Sequence, residues 1–519
     1  MFAKWIAALA MVVTTVLLPS SARAEWHEGN SPNFVVYADQ SARDVQEFTE
    51  QLELYRSAML KMLNVPDYEL GPSNRVSIYV VGSISDVRKL YGDRRSAVAG
   101  FYQSRAGASL AVIPRVKMSN VGEPDFSQTV LLHEYAHHFM FINFPGSFPL
   151  WFTEGFAEFF GSARFEKGKT VKLGYPAFHR TLDLAYAKDV PIDLLLDTEA
   201  YSKKTSNLYD SFYARSWGLY HYLTYGEDRQ GQFGSYLSAF GANPDGLAAA
   251  ESAFGDLEKL DKDIDRYLRS PRLGYTEYDA KDLNPLPAKV RKMTEGEGAI
   301  MPLKVQSKRG VTEEQAKELV VEVRSVAERF PNDPFVLASL AEAEVDAGNN
   351  DAAIAAADRA LAIDPSQMDA LIQKGYALAR IAEDEDTAEA WHNVRAQFVS
   401  ANRVDPNNPI ALRYFYESFV KAGEEVPEPA IRGLKMALEL APFAYEIRQM
   451  VAVQQLKDGD RKAAIATLQP FAFVPHNTKV ADHYRSIINR LKAGEDVEIT
   501  PYEPEEEDEE GGEDDGEDS

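Results

Sequence analysis

The sequence predicts two folded parts in tandem, an α+β domain followed by an all-α solenoid. Three observations carry this. Up to about residue 115, short apolar runs of strand type alternate with segments of helical periodicity. From about residue 314 the texture changes to alanine-rich amphipathic helices. There prolines recur at steps of 34, 41, 36 and 33 residues, from Pro331 through Pro365, Pro406 and Pro442 to Pro475. A chain of 519 residues is also too long for one hydrophobic core.

Taken in order, residues 1–24 carry Lys4, an apolar run from Trp5 to Leu18, and the small-x-small pattern Ala22-Arg23-Ala24. This reads as a secretory signal peptide cleaved near Ala24. The run is short for a membrane span, and no later stretch is long and apolar enough to be one. The mature chain is therefore expected to be exported, periplasmic or secreted. "NFVVYAD" at 33–39 reads as a strand, and 41–63 as a helix with Val45, Phe48, Leu52, Tyr55, Met59 and Met62 on one face. "RVSIYVV" at 75–81 is a second strand. "SISDVRKLYG" is a second helix, with Ser83 or Ser85 available as cap. "GASLAVIPR" at 107–115 is a third strand, closed by Pro114, and Ala108 to Ile113 is expected to form the sheet edge. Helices follow at 127–141, 151–162, 210–225 and 231–240, so the domain is placed at 25–270. Residues 271–312 are expected to be a linker or small insert, with "MPLKVQSK" as a short strand.

The repeats are placed at 313–495. In the first unit, Ala341, Gly348, Ala353, Ala360 and Pro365 fall where small side chains admit close helix packing and proline ends the second helix. The long 41-residue step contains the insertion "EDEDTAEAW" at 383–391. The spacing resembles that of tetratricopeptide (TPR) proteins, whose helix pairs repeat about every 34 residues. The other reading is a plain helical bundle. A TPR solenoid implies a concave surface that takes a protein partner or peptide. Residues 496–519 form an acidic tail: twelve acidic and no basic groups lie in 501–519, a composition that stays disordered. The net charge of −25 and the lack of a basic patch argue against a nucleic-acid partner. The absence of cysteine excludes disulfides, thiol catalysis and thiolate metal sites.

The chemistry is concentrated in "HEYAHH" at 133–138. Residues four apart share a helix face, so His133 and His137 can offer two imidazoles to one metal ion, with Glu134 in reach of a water there. His138 points about 100° away and is expected to support or pack. A catalytic zinc takes three protein ligands and leaves a position for water. "WFTEGFAEFF" supplies Glu154 and Glu158, four apart in a helix so apolar that unpartnered carboxylates there would be costly. Glu154 is the expected third ligand. Glu158 is expected to accept the free N–H of His133 and so orient it. For the oxyanion donor, Tyr213 is the first candidate, ahead of Arg215 and His221.

"HEYAH" at 133–137 followed by "TEGFAE" at 153–158 resembles the gluzincin metallopeptidases. The resemblance covers about residues 30–270, while its specific motifs occupy 26 residues. It implies a zincin-like fold and Zn2+ held by His133, His137 and Glu154. It also implies Glu134 as general base and Glu158 as the group that orients a ligand histidine. Thr153 replaces the family's usual asparagine, and the 17-residue step from His137 to Glu154 is slightly short. The Gly-x-Met-Glu-Asn run of the aminopeptidase relatives is missing, so the implied activity is that of an endopeptidase on a peptide or protein substrate. The alternative is a metallopeptidase fold of weak turnover that serves as a TPR binding or scaffolding module.

Overall fold

The computed structural model describes residues 25–68, 71–92, 98–115, 125–166, 169–204, 209–474 and 477–502. The signal peptide, Pro475 and most of the acidic tail lie outside the described residues. The strands are β1 (His27–Asn30), β2 (Phe34–Ala38), β3 (Val76–Val81), β4 (Phe101–Gln103), β5 (Leu110–Pro114), β6 (Arg164–Glu166), β7 (Thr170–Leu173), β8 (Thr276–Asp279) and β9 (Lys289–Lys292). Through residue 283 the helices are α1 (Ala42–Leu63), α2 (Ile84–Tyr91), α3 (Phe126–Asn143), α4 (Leu150–Gly161), α5 (Thr181–Tyr186), α6 (Ile192–Leu196), α7 (Thr198–Ser202), α8 (Phe212–Tyr225), α9 (Gln232–Ala242), α10 (Gly246–Phe254), α11 (Leu257–Leu268) and α12 (Ala280–Leu283).

The main sheet runs β4-β5-β3-β2-β1-β9. β2, β3 and β5 are parallel, whereas β4, β1 and β9 pair antiparallel with their neighbours. Side chains alternate across a strand, and here both faces are buried. Phe34, Val36, Ile78, Val80 and Ile113 face α1, α3 and α4. Tyr79, Leu110 and Val112 face Met293, Met301 and Val305. That double burial is why the strands read as near-continuous apolar runs.

Two expectations change here. The strand at Ala108 to Ile113 lies largely within β5, one place in from the edge, and β4 takes the edge. The three residues of β4 carry no alternation to betray them; Gly107, at φ +74°, helps turn the chain back. The short strand expected in the segment 271–312 is also misplaced. β8 joins β6 and β7, β9 pairs with β1, and "MPLKVQSK" is helical, within α13 (Glu295–Arg309). The capping box of Thr294 and Glu297 starts α13, and the burial of Ile300, Met301 and Val305 outweighs the interior Pro302.

The chain continues as α14 (Glu313–Arg329), α15 (Pro334–Asp346), α16 (Asn350–Ile363), α17 (Met368–Glu385), α18 (Ala388–Val404), α19 (Pro409–Lys421), α20 (Glu428–Leu440), α21 (Tyr445–Lys457), α22 (Arg461–Leu468) and α23 (Thr478–Lys492). Consecutive helices pack in pairs, and α13, α15, α17 and α19 also touch in sequence, forming a TPR-like array. Pro331, Pro365, Pro406 and Pro442 each fall in the turn before a first helix of a pair. Asp333 and Asn408 cap α15 and α19, with proline in the first turn. The insertion covers the end of α17 and the start of α18, with Asp386, in a left-handed conformation, and Thr387 between the two helices.

Gly155 sets the distance between α4 and α8. A Cβ there would stand 2.5 Å from the Ser216 carbonyl oxygen, a backbone atom with no room to give. Gly155→Ala is expected to destabilise the protein by about 1–3 kcal/mol through overpacking, read as a lower urea midpoint with unchanged slope.

Candidate metal centre

α3 begins at Asp125, whose side chain accepts from the Gln128 amide, and runs through the histidine motif. α4 packs directly against it; a Cβ on Gly161 would lie 3.1 Å from the Cα of His133. This close approach brings Glu154 under the histidine pair. The Nε2 atoms of His133 and His137 are 3.1 Å apart. Oε2 of Glu154 is 3.5 Å from the first and 3.4 Å from the second. All three residues are buried, with relative exposures of 6%, 6% and 1%.

That triangle can be tested against a zinc ion. Bonds of about 2.0–2.2 Å at tetrahedral angles separate donor atoms by about 3.3–3.6 Å. The three observed edges lie within a few tenths of an ångström of that range. The donor set of two imidazoles and one carboxylate also suits zinc. Glu134, the residue after His133, is half-buried on the same helix.

Behind the triangle, Nδ1 of His133 is 3.2 Å from Oε1 of Glu158. Two further residues hold that carboxylate, both from the turn Phe178–Arg180. Arg180 Nη2 donates to Oε1 at 2.6 Å, and His179 Nε2 lies 2.7 Å from Oε2. Burial alone would raise the Glu158 carboxyl, but Arg180 and His179 outweigh it and hold it well below the usual carboxylate range. Burial likewise opposes a charged His133, yet its contacts with Glu154 and Glu158 raise it well above the ordinary imidazole value. The sequence singles out neither His179 nor Arg180. Their one signal is indirect: a carboxylate buried as deeply as Glu158 needs cations, and these two follow 21 and 22 positions later, after β6 and β7.

The other candidates are placed as follows. His138 Nδ1 and the Tyr102 hydroxyl on edge strand β4 are hydrogen-bonded at 2.6 Å, and burial, then Arg56, push the imidazole down to about 3. The ring of Tyr213 lies against the Arg180 guanidinium, 4.9 Å from its centroid. Arg215 is committed elsewhere, to Asp189, Asp261 and Asp265. His221 faces the carbonyls of Gly174 and Gly274 with Nε2 and the Tyr267 hydroxyl with Nδ1, and burial pushes it down to about 4.

Residues 129–242, which include the whole His–Glu–Arg cluster, match the family described as "Protein of unknown function (DUF1570)". No curated protein matches the sequence. Solved structures similar to the chain include a thermophilic TPR protein of Thermus thermophilus, at 19% identity and TM-score 0.32, covering 37% of this chain and 99% of that one. MamA of Desulfovibrio magneticus RS-1 matches at 17% identity and TM-score 0.27, covering 40% of this chain and 99% of that one. PilF of Pseudomonas aeruginosa matches at 15% identity and TM-score 0.30, covering 39% and 96%. No helix among the described residues is long and apolar enough to cross a membrane.

Arg180→Met would leave Glu158 buried without its guanidinium. The expected loss is about 3–5 kcal/mol, with partial recovery in Arg180→Lys, measured by urea denaturation of the three proteins side by side.

Proposed function

We propose that this chain is a zinc-dependent peptidase acting on exported proteins or peptides. The observation that carries the reading is the buried triangle of His133 Nε2, His137 Nε2 and Glu154 Oε2, whose edges of 3.1, 3.5 and 3.4 Å suit a tetrahedral zinc. These three residues would hold the ion. When bound, zinc supplies polarisation of the scissile carbonyl and a water acidified to a pKa of about 7. Glu134 takes the proton of the attacking water and delivers it to the leaving amide nitrogen. Glu158 fixes the ring of His133, and Arg180 and His179 fix Glu158. Tyr213 is our donor to the developing oxyanion; its ring is steadied on Arg180.

A second reading keeps the fold and drops the turnover: a binding or scaffolding module. The helical array favours it, since stacked helix pairs commonly hold proteins or peptides. Both readings share a polypeptide ligand.

The two part on one experiment, metal analysis of the purified protein followed by digestion of a broad peptide library. The peptidase reading expects about one zinc per chain. It expects Glu134→Gln to keep the zinc while losing cleavage by about 10³-fold or more. Tyr213→Phe should lose about 10²–10³-fold in kcat, also with zinc kept. A protein without zinc, or one as inactive before the Glu134 substitution as after it, leaves the binding module standing.

A further inference from the structure

The array does not stand apart from the site. Along its length, four of its contacts with the N-terminal half stand out among the described residues. At the first, α13 closes the second face of the main sheet. At the second, the turn between β4 and β5 is clasped. Arg105 donates to the carbonyls of Lys308 and Arg309, Ala106 packs among Leu412, Phe415 and Tyr416, and Gly107 meets Ile410. The neighbouring loop is tied as well. The Ser73 amide donates to Asp405 at 3.0 Å, and Asn408 Nδ2 donates to the Ser73 hydroxyl at 2.9 Å. At the third, Phe443, between α20 and α21, lies against His138 at 5.3 Å between rings, one residue past His137. At the fourth, Phe473 packs edge-on against Phe240 of α9 at 5.2 Å.

The third and fourth contacts fall on elements that adjoin the candidate metal centre. One anchor is α3, which bears His133 and His137. The other is α9, joined to α4 by the bond from Trp151 Nε1 to the Tyr236 hydroxyl at 2.9 Å; α4 bears Glu154. The anchors are themselves buried, Asn408 to 1% and Asp405 to 4% exposure. Swinging the array aside would bare all of them together with the sheet face under α13. The array is therefore held to both elements that carry the donor triangle, to α3 directly and to α4 by way of α9.

We propose that the helical array is a fixed strap across the site, and that the site accordingly takes extended, unfolded polypeptide and excludes folded protein. The proposal rests on the peptidase reading only for the fate of the chain once bound.

The test uses the full chain carrying Glu134→Gln, so that binding is read without turnover. Fluorescence anisotropy compares α-lactalbumin that is reduced and carboxymethylated with the native, disulfide-bonded protein. The unfolded form is expected to bind at least about tenfold more tightly. Equal affinity, preference for the folded form, or no binding of either overturns the proposal. If unfolded polypeptide binds the variant while the wild type cleaves nothing, the peptidase reading fails and the strap survives.

A second measurement asks whether the strap must open. A Cβ at Gly107 lies 3.8 Å from Cβ of Ile410, and disulfides favour a Cβ separation of about 3.8 Å. Because the chain has no cysteine, Gly107→Cys with Ile410→Cys makes a single lock. The oxidised form is expected to bind unfolded polypeptide within about twofold of the reduced form. A loss of about tenfold or more that reductant reverses means the array must swing away, and overturns the fixed strap. Failure of the pair to oxidise in a protein of unchanged melting puts the array off the turn, with the same consequence. Gly107 sits at φ +74°, so the pair carries strain; the anisotropy comparison does not depend on it.

Discussion

The constraint on which the rest of the site depends is the burial of two carboxylates on one apolar helix. Every residue of α4 from Trp151 to Gly161 is buried, Glu154 and Glu158 included. An ionised carboxylate in such surroundings is tolerated only with positive charge and hydrogen bonds close by. The structure supplies these in two directions. Arg180 and His179 close on Glu158 from one side. The imidazoles of His133 and His137 close on Glu154 from the other. The field that raises the affinity of His133 for a proton is the same field that would hold a divalent cation between the histidines and Glu154. The geometry of the donor triangle and the charge balance of α4 are thus one problem with one solution. The glycines serve it too, since Gly155 and Gly161 let α4 approach α8 and α3 closely enough.

Burial of the main sheet on both faces imposes the second large constraint. One face is covered by α1, α3 and α4, and the other by residues of α13 and its neighbours. The central strands β2, β3 and β5 are therefore largely apolar, and the sheet is complete only when the chain beyond residue 288 has folded back onto it. The first helix of the array belongs to the core of the domain that precedes it. Its Lys304, almost wholly buried, reaches Asp369 of α17 at 2.7 Å, so the same helix carries polar contacts into the second repeat.

What could be read from the sequence divides along these lines. Features set by spacing within one element were legible. His133 and His137 share a face because they are four apart, and Glu154 and Glu158 had to find partners because their helix is otherwise apolar. The repeat prolines were legible because Pro331, Pro365, Pro406 and Pro442 each fall in the turn between one helix pair and the next. Features set by tertiary contact were not. β9 reads "KVRK", an exposed, charged edge strand with no apolar face, and nothing local announces that it pairs with β1. β4 is three residues long and became an edge only because the chain turned back at Gly107. His179 and Arg180 lie on a short turn without periodicity, 21 and 22 positions from the carboxylate they hold. Phe443 reaches His138 from more than 300 positions away, and no spacing rule spans that distance.

The last of these contacts bears on how a repeat array is joined to the domain before it. A solenoid that recruits a separate protein keeps its inner face free for it. Here α13, α15, α17 and α19 line up on the side where Tyr79, Arg105, Gly107 and Ser73 of the N-terminal half lie. Part of that side is occupied by the chain's own sheet and the turn before β5. The seam that composition suggests near residue 312 is therefore not a physical seam. A cut there would bare Ile300, which is wholly buried in a cluster built largely from α14 and α15. It would also strip Ile410 from Gly107 and Phe443 from His138. The two halves share a core, and the position of the second half is part of the shape of the site in the first.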